Sequence, residues 1–114
     1  MTIREVIETA DLAQPNEVDD GLKAAWLAAL EQQLLLELYQ THEDPPPPDG
    51  RKLSVPKAFR DLYLRYLLMR IALEQGEYTR YNNAARLFDA HYRAYAAWYC
   101  RTHRPIARAE ALRF

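Results

Sequence analysis

Apolar residues recur along this chain at spacings of three or four, which is the period of an amphipathic α-helix. The most regular run places aromatic or small side chains on one face for roughly six helical turns. Its members are Tyr78, Tyr81, Ala85, Phe88, Tyr92, Tyr95 and Tyr99. A heptad seam of this kind predicts a long helix, from about residue 77 to residue 102, that packs on another helix.

Two earlier helices are predicted near the start of the chain. The first runs from about residue 3 to residue 10 and is preceded by a capping box, in which Thr2 and Glu5 satisfy each other's backbone N–H groups. The second runs from about residue 20 to residue 39, behind an acidic pair that suits a helix N-terminus. Its leucines spread beyond one face, so we expect this helix to contact more than one neighbour.

A third helix is predicted from Ser54 and Pro56, which mark a helix start, to about residue 75. Gly76 then provides a stop, because glycine readily adopts the left-handed conformation found after a helix. A short connection at Gly76 would let the third and fourth helices pair as an antiparallel hairpin.

The clearest interruption lies in the segment from residue 42 to residue 55. Pro45 to Pro48 cannot continue a helix and favour an extended polyproline conformation. The run is either a spacer between helices or a docking ligand for an aromatic groove. The chain is therefore predicted to be all-α: a single four-helix bundle-like domain over residues 1–104, with an irregular tail over residues 105–114.

Size and composition agree with this fold class. A chain of 114 residues suits one domain, and three glycines and few β-branched residues favour helices over strands. No apolar run approaches the roughly 18 to 20 residues that cross a bilayer, and the opening MTIREVIE lacks the basic start of a signal peptide. We therefore expect a cytoplasmic protein without a membrane partner. The lone Cys100 fits a reducing compartment and is expected to be a buried apolar residue.

Charge is divided unevenly between the two halves of the chain. Residues 1–50 hold two cations and eleven acidic residues, a net of −9, whereas residues 51–114 hold thirteen cations and five acidic residues, a net of +8. Either the two halves fold against each other, or the subunit has one acidic and one basic surface and associates head to tail with copies of itself.

Residues that could carry catalysis are scarce. The three glycines are isolated, so no glycine-rich phosphate-binding loop is present in the sequence. Cys100 and His103 do not form a recognised zinc spacing with the other histidines. We therefore expect neither an enzyme nor a bound cofactor or metal.

Nucleic-acid binding is an alternative, because eleven of the thirteen cations of the second half are arginines. Arginine suits bidentate contacts to phosphate, but it pairs equally well with carboxylates. No recognition-helix or zinc-finger pattern accompanies these arginines.

Eight tyrosines exceed what a four-helix core requires, and tyrosine is favoured at protein interfaces. Rings outside or beside the seam, at Tyr39, Tyr63 and Trp98, are therefore candidate contact residues. Asn82 and Asn83 are weak helix formers, and either satisfy a neighbouring loop or contact an adjoining subunit.

Three stretches carry a resemblance to a known class of proteins: PNEVDDGLKAAWL, SVPKAFRDLYLRYL and GEYTRYNNAARLFDAHYRAYAAWYCRTHRP. They are similar to small helical proteins from the structural-gene region of prophages of Gram-positive bacteria. These proteins resemble the head-to-tail connector, or adaptor, class of tailed phages. The resemblance covers about three-quarters of the chain and omits the proline-rich segment and the tail.

The resemblance implies a subunit that assembles in a ring with copies of itself. Its other partners would be the portal protein and a downstream head-closure or tail protein, with DNA only as the passing genome. It would be found in the host cytoplasm during assembly and then in the virion neck. In such a ring, the acidic second helix would meet Arg86 and Arg93 of the next copy, and the tail, with Arg104, Arg108 and Phe114, would dock on the portal or another subunit. A DNA-binding or regulatory helical protein encoded by a prophage is the alternative.

Overall fold

Four α-helices make up most of the chain in a computed structural model, which describes residues 1–46 and 52–106. The helices are α1 (Ile3–Ala13), α2 (Asp20–Glu37), α3 (Asp61–Glu74) and α4 (Tyr78–Thr102), with 3₁₀ turns at Tyr39–Thr41 and Lys57–Phe59. The predicted all-α fold class is confirmed. The molecule is elongated, with extents of 50 by 28 by 23 Å.

Helices α3 and α4 form the predicted hairpin, and Gly76 ends α3. Gly76 has a φ of 72°, which a residue with a Cβ rarely adopts. Its N–H donates to the carbonyl of Leu73 over 3.1 Å, and the N–H of Glu77 donates to the carbonyl of Ala72 over 2.9 Å. These two bonds form a Schellman cap, which satisfies the last carbonyls of α3 and turns the chain into α4.

The starts of α1 and α2 follow the local signals of the sequence. The N–H of Glu5 donates to the Thr2 hydroxyl over 3.2 Å, and the N–H of Leu22 donates to the Asp19 carboxylate over 3.3 Å. Each cap satisfies one of the N–H groups that the first turn of a helix leaves without an intrahelical partner.

Helix α3 begins later than the sequence predicts. The expected start was Ser54, but the α-helix begins at Asp61. The N–H groups of Ser54 and Val55 donate instead to the side chains of Glu31 and Tyr63, at 2.9 Å each. These tertiary bonds hold the non-helical segment from 52 to 56 against α2 and α3, and the segment joins the core through Leu53 and Val55.

The core lies between all four helices and is built from leucine and aromatic side chains. Its fully buried leucines are Leu27, Leu30, Leu34, Leu62 and Leu67. Each such side chain contributes roughly 1.5–3 kcal/mol to folding relative to an exposed one. Helix α4 buries only Tyr95 and Tyr99, both in its second half, so its first half packs on α3 and is otherwise exposed.

One charged side chain lies inside this core. Lys23 is 1% exposed, and its ammonium lies 2.7 Å from Asp11 and 3.5 Å from Asp20. The pair with Asp11 joins the start of α2 to the end of α1. Because a buried charge without a partner is strongly destabilising, this contact fixes how the two helices meet.

Backbone bonds outside the helices fasten the connecting segments. The N–H of Leu53 donates to the carbonyl of Met1 over 2.8 Å, and the N–H of Ile106 donates to the carbonyl of Thr41 over 3.0 Å. The second bond reaches two residues beyond residue 104, where the sequence placed the domain boundary. Pro47 and Pro48 lie outside the described residues, so the conformation of the full proline run stays a prediction.

Candidate protein-binding surface

Four of the eight tyrosines, Tyr39, Tyr63, Tyr92 and Tyr95, form hydrogen bonds through their hydroxyls within the fold. The Tyr39 hydroxyl lies 2.6 Å from the Ser54 hydroxyl and 3.0 Å from the Tyr95 hydroxyl. This chain of hydroxyls connects the end of α2, the segment before α3, and α4. Burial raises the pKa of both Tyr39 and Tyr95, because the ionised phenolate would lose its hydration.

Glu31 is the acceptor of a second group of bonds. The Tyr63 hydroxyl donates to the Glu31 carboxylate over 2.5 Å and accepts from the N–H of Val55 over 2.9 Å. Burial raises the pKa of Tyr63, and the hydrogen bond and negative charge of Glu31 raise it further. The neutral phenol is therefore the stable form, and it holds α2, α3 and the segment from 52 to 56 together.

The predictions for Tyr39 and Tyr63 as contact residues are therefore wrong. Both rings are buried in the core, and their hydroxyls are satisfied within the chain. Of the eight tyrosines, Tyr78 is the one that is largely exposed. Half of the tyrosines therefore serve internal hydrogen bonding, which the sequence pattern alone does not reveal, whereas the buried Tyr99 hydroxyl has no hydrogen-bond partner within the described residues.

Aromatic rings also cluster where α4 ends. Tyr99 stacks on His103 with ring centroids 3.8 Å apart and meets Tyr39 at 5.2 Å. Trp98 packs on Phe59 at 5.2 Å and is half-buried. Trp98 was predicted as a contact residue, and only part of its ring is accessible for such a contact.

The expectation that Cys100 is buried is also wrong, because its side chain is exposed. Tyr95 and Tyr99 occupy the inward positions of this part of α4. Cys100 follows Tyr99 by one residue, which turns it about 100° around the helix, away from the core.

The outer face of α4 carries most of the predicted contact residues that are exposed. Asn82, Asn83, Arg86 and Arg93 are all exposed along it. The Arg93 guanidinium lies 3.0 Å from the Asp89 carboxylate, as the four-residue spacing predicts, but an exposed pair of this kind contributes little to stability. We define the α4 face as Arg86, Ala90, Arg93, Ala97 and Arg101, which are exposed and recur at spacings of three or four.

A second exposed face lies on α2. Leu36 is 57% exposed, and Leu22, Ala25 and Ala29 are exposed on the same side. We define the α2 face as these four residues. Two of its members are large apolar side chains without a covering helix, which agrees with the predicted spread of leucines around α2.

A groove lies where the end of α1 meets the α3–α4 hairpin. Its volume is about 180 Å³, and its floor is apolar, with Leu68, Ala72, Ala84 and Leu87. Its rim is polar and is formed by Gln14, Arg65, Gln75, Glu77, Arg80 and Asn83. Sequence reasoning missed this groove, because its lining comes from three separate helices.

The two arginines of the groove differ in their partners. Arg80 pairs with Glu77 over 2.7 Å. The Nε of Arg65 is buried and has no hydrogen-bond partner within residues 1–46 and 52–106. The groove thus combines an apolar floor with guanidinium groups at its edge.

The remaining predicted contact residues lie at the end of the chain. Arg104 is exposed, and its carbonyl accepts from the N–H of Glu43 over 2.8 Å. Arg108 and Phe114 fall outside the described residues, so their predicted roles are untested.

Within the part of the chain that the structure describes, no helix is long and apolar enough to cross a membrane. Comparisons with protein-family models, with curated proteins and with solved structures each found no match to this chain.

Proposed function

We propose that this chain is a head-to-tail connector subunit of a tailed phage, which binds neighbouring copies of itself and the portal protein. The observation that carries the proposal is the pair of exposed helix faces, one in the acidic half of the chain and one in the basic half. The resemblance of the sequence to small prophage proteins supplies the biological setting.

The two faces are similar in length. From Leu22 to Leu36 the α2 face extends about 21 Å, and from Arg86 to Arg101 the α4 face extends about 22 Å. Alanines lie in the middle of both faces. Because small side chains let two helices approach closely, the faces could pack along their whole length.

Charge favours a contact between α2 of one copy and α4 of the next. Asp19 and Glu37 lie beside the two ends of the α2 face, and Arg86 and Arg101 lie at the ends of the α4 face. The same α4 face on two copies would bring arginines together and repel. A contact between two different faces is heterologous, and it closes into a ring when the rotation between copies is suitable.

The test is co-purification with a tailed-phage portal protein from the genome that encodes this chain, followed by electron microscopy of the complex. We expect the chain to bind and form a ring. The double variant Arg86→Glu and Arg93→Glu should lose ring formation, because it reverses the charge of the α4 face. Arg4→Glu is the matched control, since Arg4 is exposed on α1 outside both faces. Failure of the unmodified chain to bind portal protein under assembly conditions would count against the proposal.

A prophage-encoded DNA-binding protein is the second candidate, favoured by the exposed arginines of the α4 face. Phosphate contacts from these arginines would give an affinity for DNA that falls steeply as salt concentration rises. We expect no such affinity, because Asp89 and several alanines interrupt the face. A filter-binding titration at two salt concentrations separates the two candidates.

A further inference from the structure

Exposed apolar side chains gather at one end of the molecule, around the groove. Leu12 is 86% exposed, Tyr78 is 66% exposed and Leu87 is 44% exposed, and Leu73 is also exposed. Leu73 and Tyr78 flank the turn between α3 and α4, and Leu12 lies two residues before Gln14 of the groove rim. We define the hairpin-end patch as these four residues together with the groove.

Such clustering is unusual for a surface that faces water alone. Of the large apolar side chains that are exposed within the described ranges, these four belong to the hairpin-end patch and the other two, Leu22 and Leu36, to the α2 face. Contiguous exposed apolar surface with a polar rim is typical of a binding site. The hairpin-end patch is distinct from the faces assigned to ring contacts.

The patch also contains two features that complement each other: an apolar groove edged by arginines, and a projecting leucine with an acidic side chain near it. On the α3–α4 side it has the apolar floor of the groove, with Arg65 and Arg80 at the edge. On the α1 side it has the projecting Leu12, with the exposed carboxylate of Glu17 near it in the chain, whereas the Glu8 carboxylate pairs with Arg4. A cavity of about 150 Å³ holds a benzene-sized group, so the groove is large enough for a leucine side chain.

We propose that the hairpin-end patch joins two copies of this chain in a two-fold dimer, in which Leu12 of each copy occupies the groove of the other. A surface that carries a projection beside a matching groove is self-complementary under a two-fold axis. The acidic side of one patch then meets the arginines of the other. This inference does not depend on the connector role, since it rests on a different surface.

The size of this end of the molecule sets the strength of the contact. The two shorter extents of 28 and 23 Å limit the end face of the molecule to about 600 Å² on each copy, so the contact buries at most about 1,200 Å² in total. That area is at the lower limit for stable protein interfaces. The dimer is therefore weak and forms in a concentration-dependent manner.

Sedimentation equilibrium of the full chain over a range of concentrations, up to about 1 mM, tests the proposal. We expect a monomer–dimer equilibrium. Leu12→Asp and Leu87→Asp should each raise the dissociation constant at least about tenfold, because both put a charge into the apolar contact. Ala58→Asp is the matched control: Ala58 is an exposed apolar residue in the 3₁₀ turn at Lys57–Phe59, outside the patch and both helix faces, so the variant should change the constant less than about twofold. Circular dichroism verifies that the variants are folded.

Disulfide trapping tests the geometry. Two single-cysteine proteins, Leu12→Cys and Leu87→Cys, each also carrying Cys100→Ser, are mixed and oxidised. We expect a disulfide between the two different proteins, whereas a mixture of Ala58→Cys and Leu87→Cys, with the same Cys100→Ser change, should give none.

Either of two results overturns the inference. A monomer at every concentration would exclude the dimer, and an equal effect of Ala58→Asp and Leu87→Asp would place the contact elsewhere. A chain that stays monomeric alone but binds portal protein would reject the dimer and leave the connector proposal standing.

Discussion

Glu31 shows how single side chains organise this fold at the residue scale. Its carboxylate accepts from the Tyr63 hydroxyl and from the backbone N–H of Ser54, which lies 23 positions later in the chain. The same Tyr63 hydroxyl accepts from Val55. One acidic residue and one phenol thus fasten the segment before α3 to the rest of the fold.

The substitution Tyr63→Phe removes this hydroxyl and leaves the ring. We expect it to lower the free energy of unfolding by about 1–3 kcal/mol, because the buried N–H of Val55 and the Glu31 carboxylate both lose a partner. Urea denaturation measures the change as a lower midpoint with an unchanged slope. The control Tyr78→Phe changes an exposed hydroxyl and should shift the free energy by less than about 0.5 kcal/mol. Equal midpoints for the two variants would contradict the role assigned to Tyr63.

The residue scale is also where sequence reasoning was least successful. Tyr39, Tyr63 and Cys100 were each assigned the wrong exposure, because the side that a residue presents depends on how its helix is rotated in the bundle. Helical period fixes which residues share a face, but not which face is covered. The exposure of Asn82, Asn83, Arg86 and Arg93 followed the sequence, because they fall opposite the aromatic seam.

At the scale of elements, the helices follow local signals closely. Thr2, Asp19 and Gly76 act as the caps that the sequence predicts, and α4 begins within one residue of its predicted start. Helix caps and helix-ending residues act on neighbours in the chain, so they can be predicted from the local sequence. The start of α3 was misplaced because tertiary bonds hold Ser54 and Val55 in a non-helical segment, and the bond from Ser54 to Glu31 lies beyond the reach of local signals.

The turn at Gly76 gives a direct test of the hairpin. A Cβ at this position would meet no atom within 4 Å, so the cost of Gly76→Ala comes from backbone conformation alone. We expect a loss of about 1–2 kcal/mol in the free energy of unfolding, since the left-handed conformation is unfavourable for alanine. Gly76→Asn should lose less, because asparagine tolerates this conformation better. Thermal denaturation ranks the three proteins, and an alanine variant as stable as the parent would contradict the role of the turn.

At the scale of the whole molecule, buried phenols connect α2, α3 and α4 into one unit. Tyr39, Tyr63, Tyr95 and Tyr99 all have a raised pKa, chiefly because burial penalises the ionised form. Their ionisation and the unfolding of the bundle are therefore coupled. The groove and the hairpin-end patch also belong to this scale, which explains why the sequence alone did not predict them.

This coupling predicts a loss of stability at alkaline pH. In the unfolded chain the phenols release their protons near pH 10, whereas in the folded chain they keep them to higher pH. Above about pH 10 the unfolded state therefore binds fewer protons, and the free energy of unfolding falls as pH rises. As pH rises, we expect tyrosinate absorbance to increase over the same range in which the helical circular dichroism signal decreases.

The double variant Tyr39→Phe and Tyr95→Phe provides the comparison for the alkaline transition. With two buried phenols removed, the free energy of unfolding should depend less steeply on pH above about 10. Tyrosinate signals that appear near pH 10 from all eight tyrosines, while the helices stay folded, would contradict the coupling.

The exposed thiol of Cys100 offers a way to measure how copies are arranged. It lies about 33 Å along α4 from Tyr78, far from the hairpin-end patch. Spin labels on this thiol would be roughly 60 Å or more apart in a dimer joined end to end. In copies packed side by side the labels would be nearer to the 23 to 28 Å width of one molecule. A single interspin distance measurement therefore distinguishes axial from lateral association.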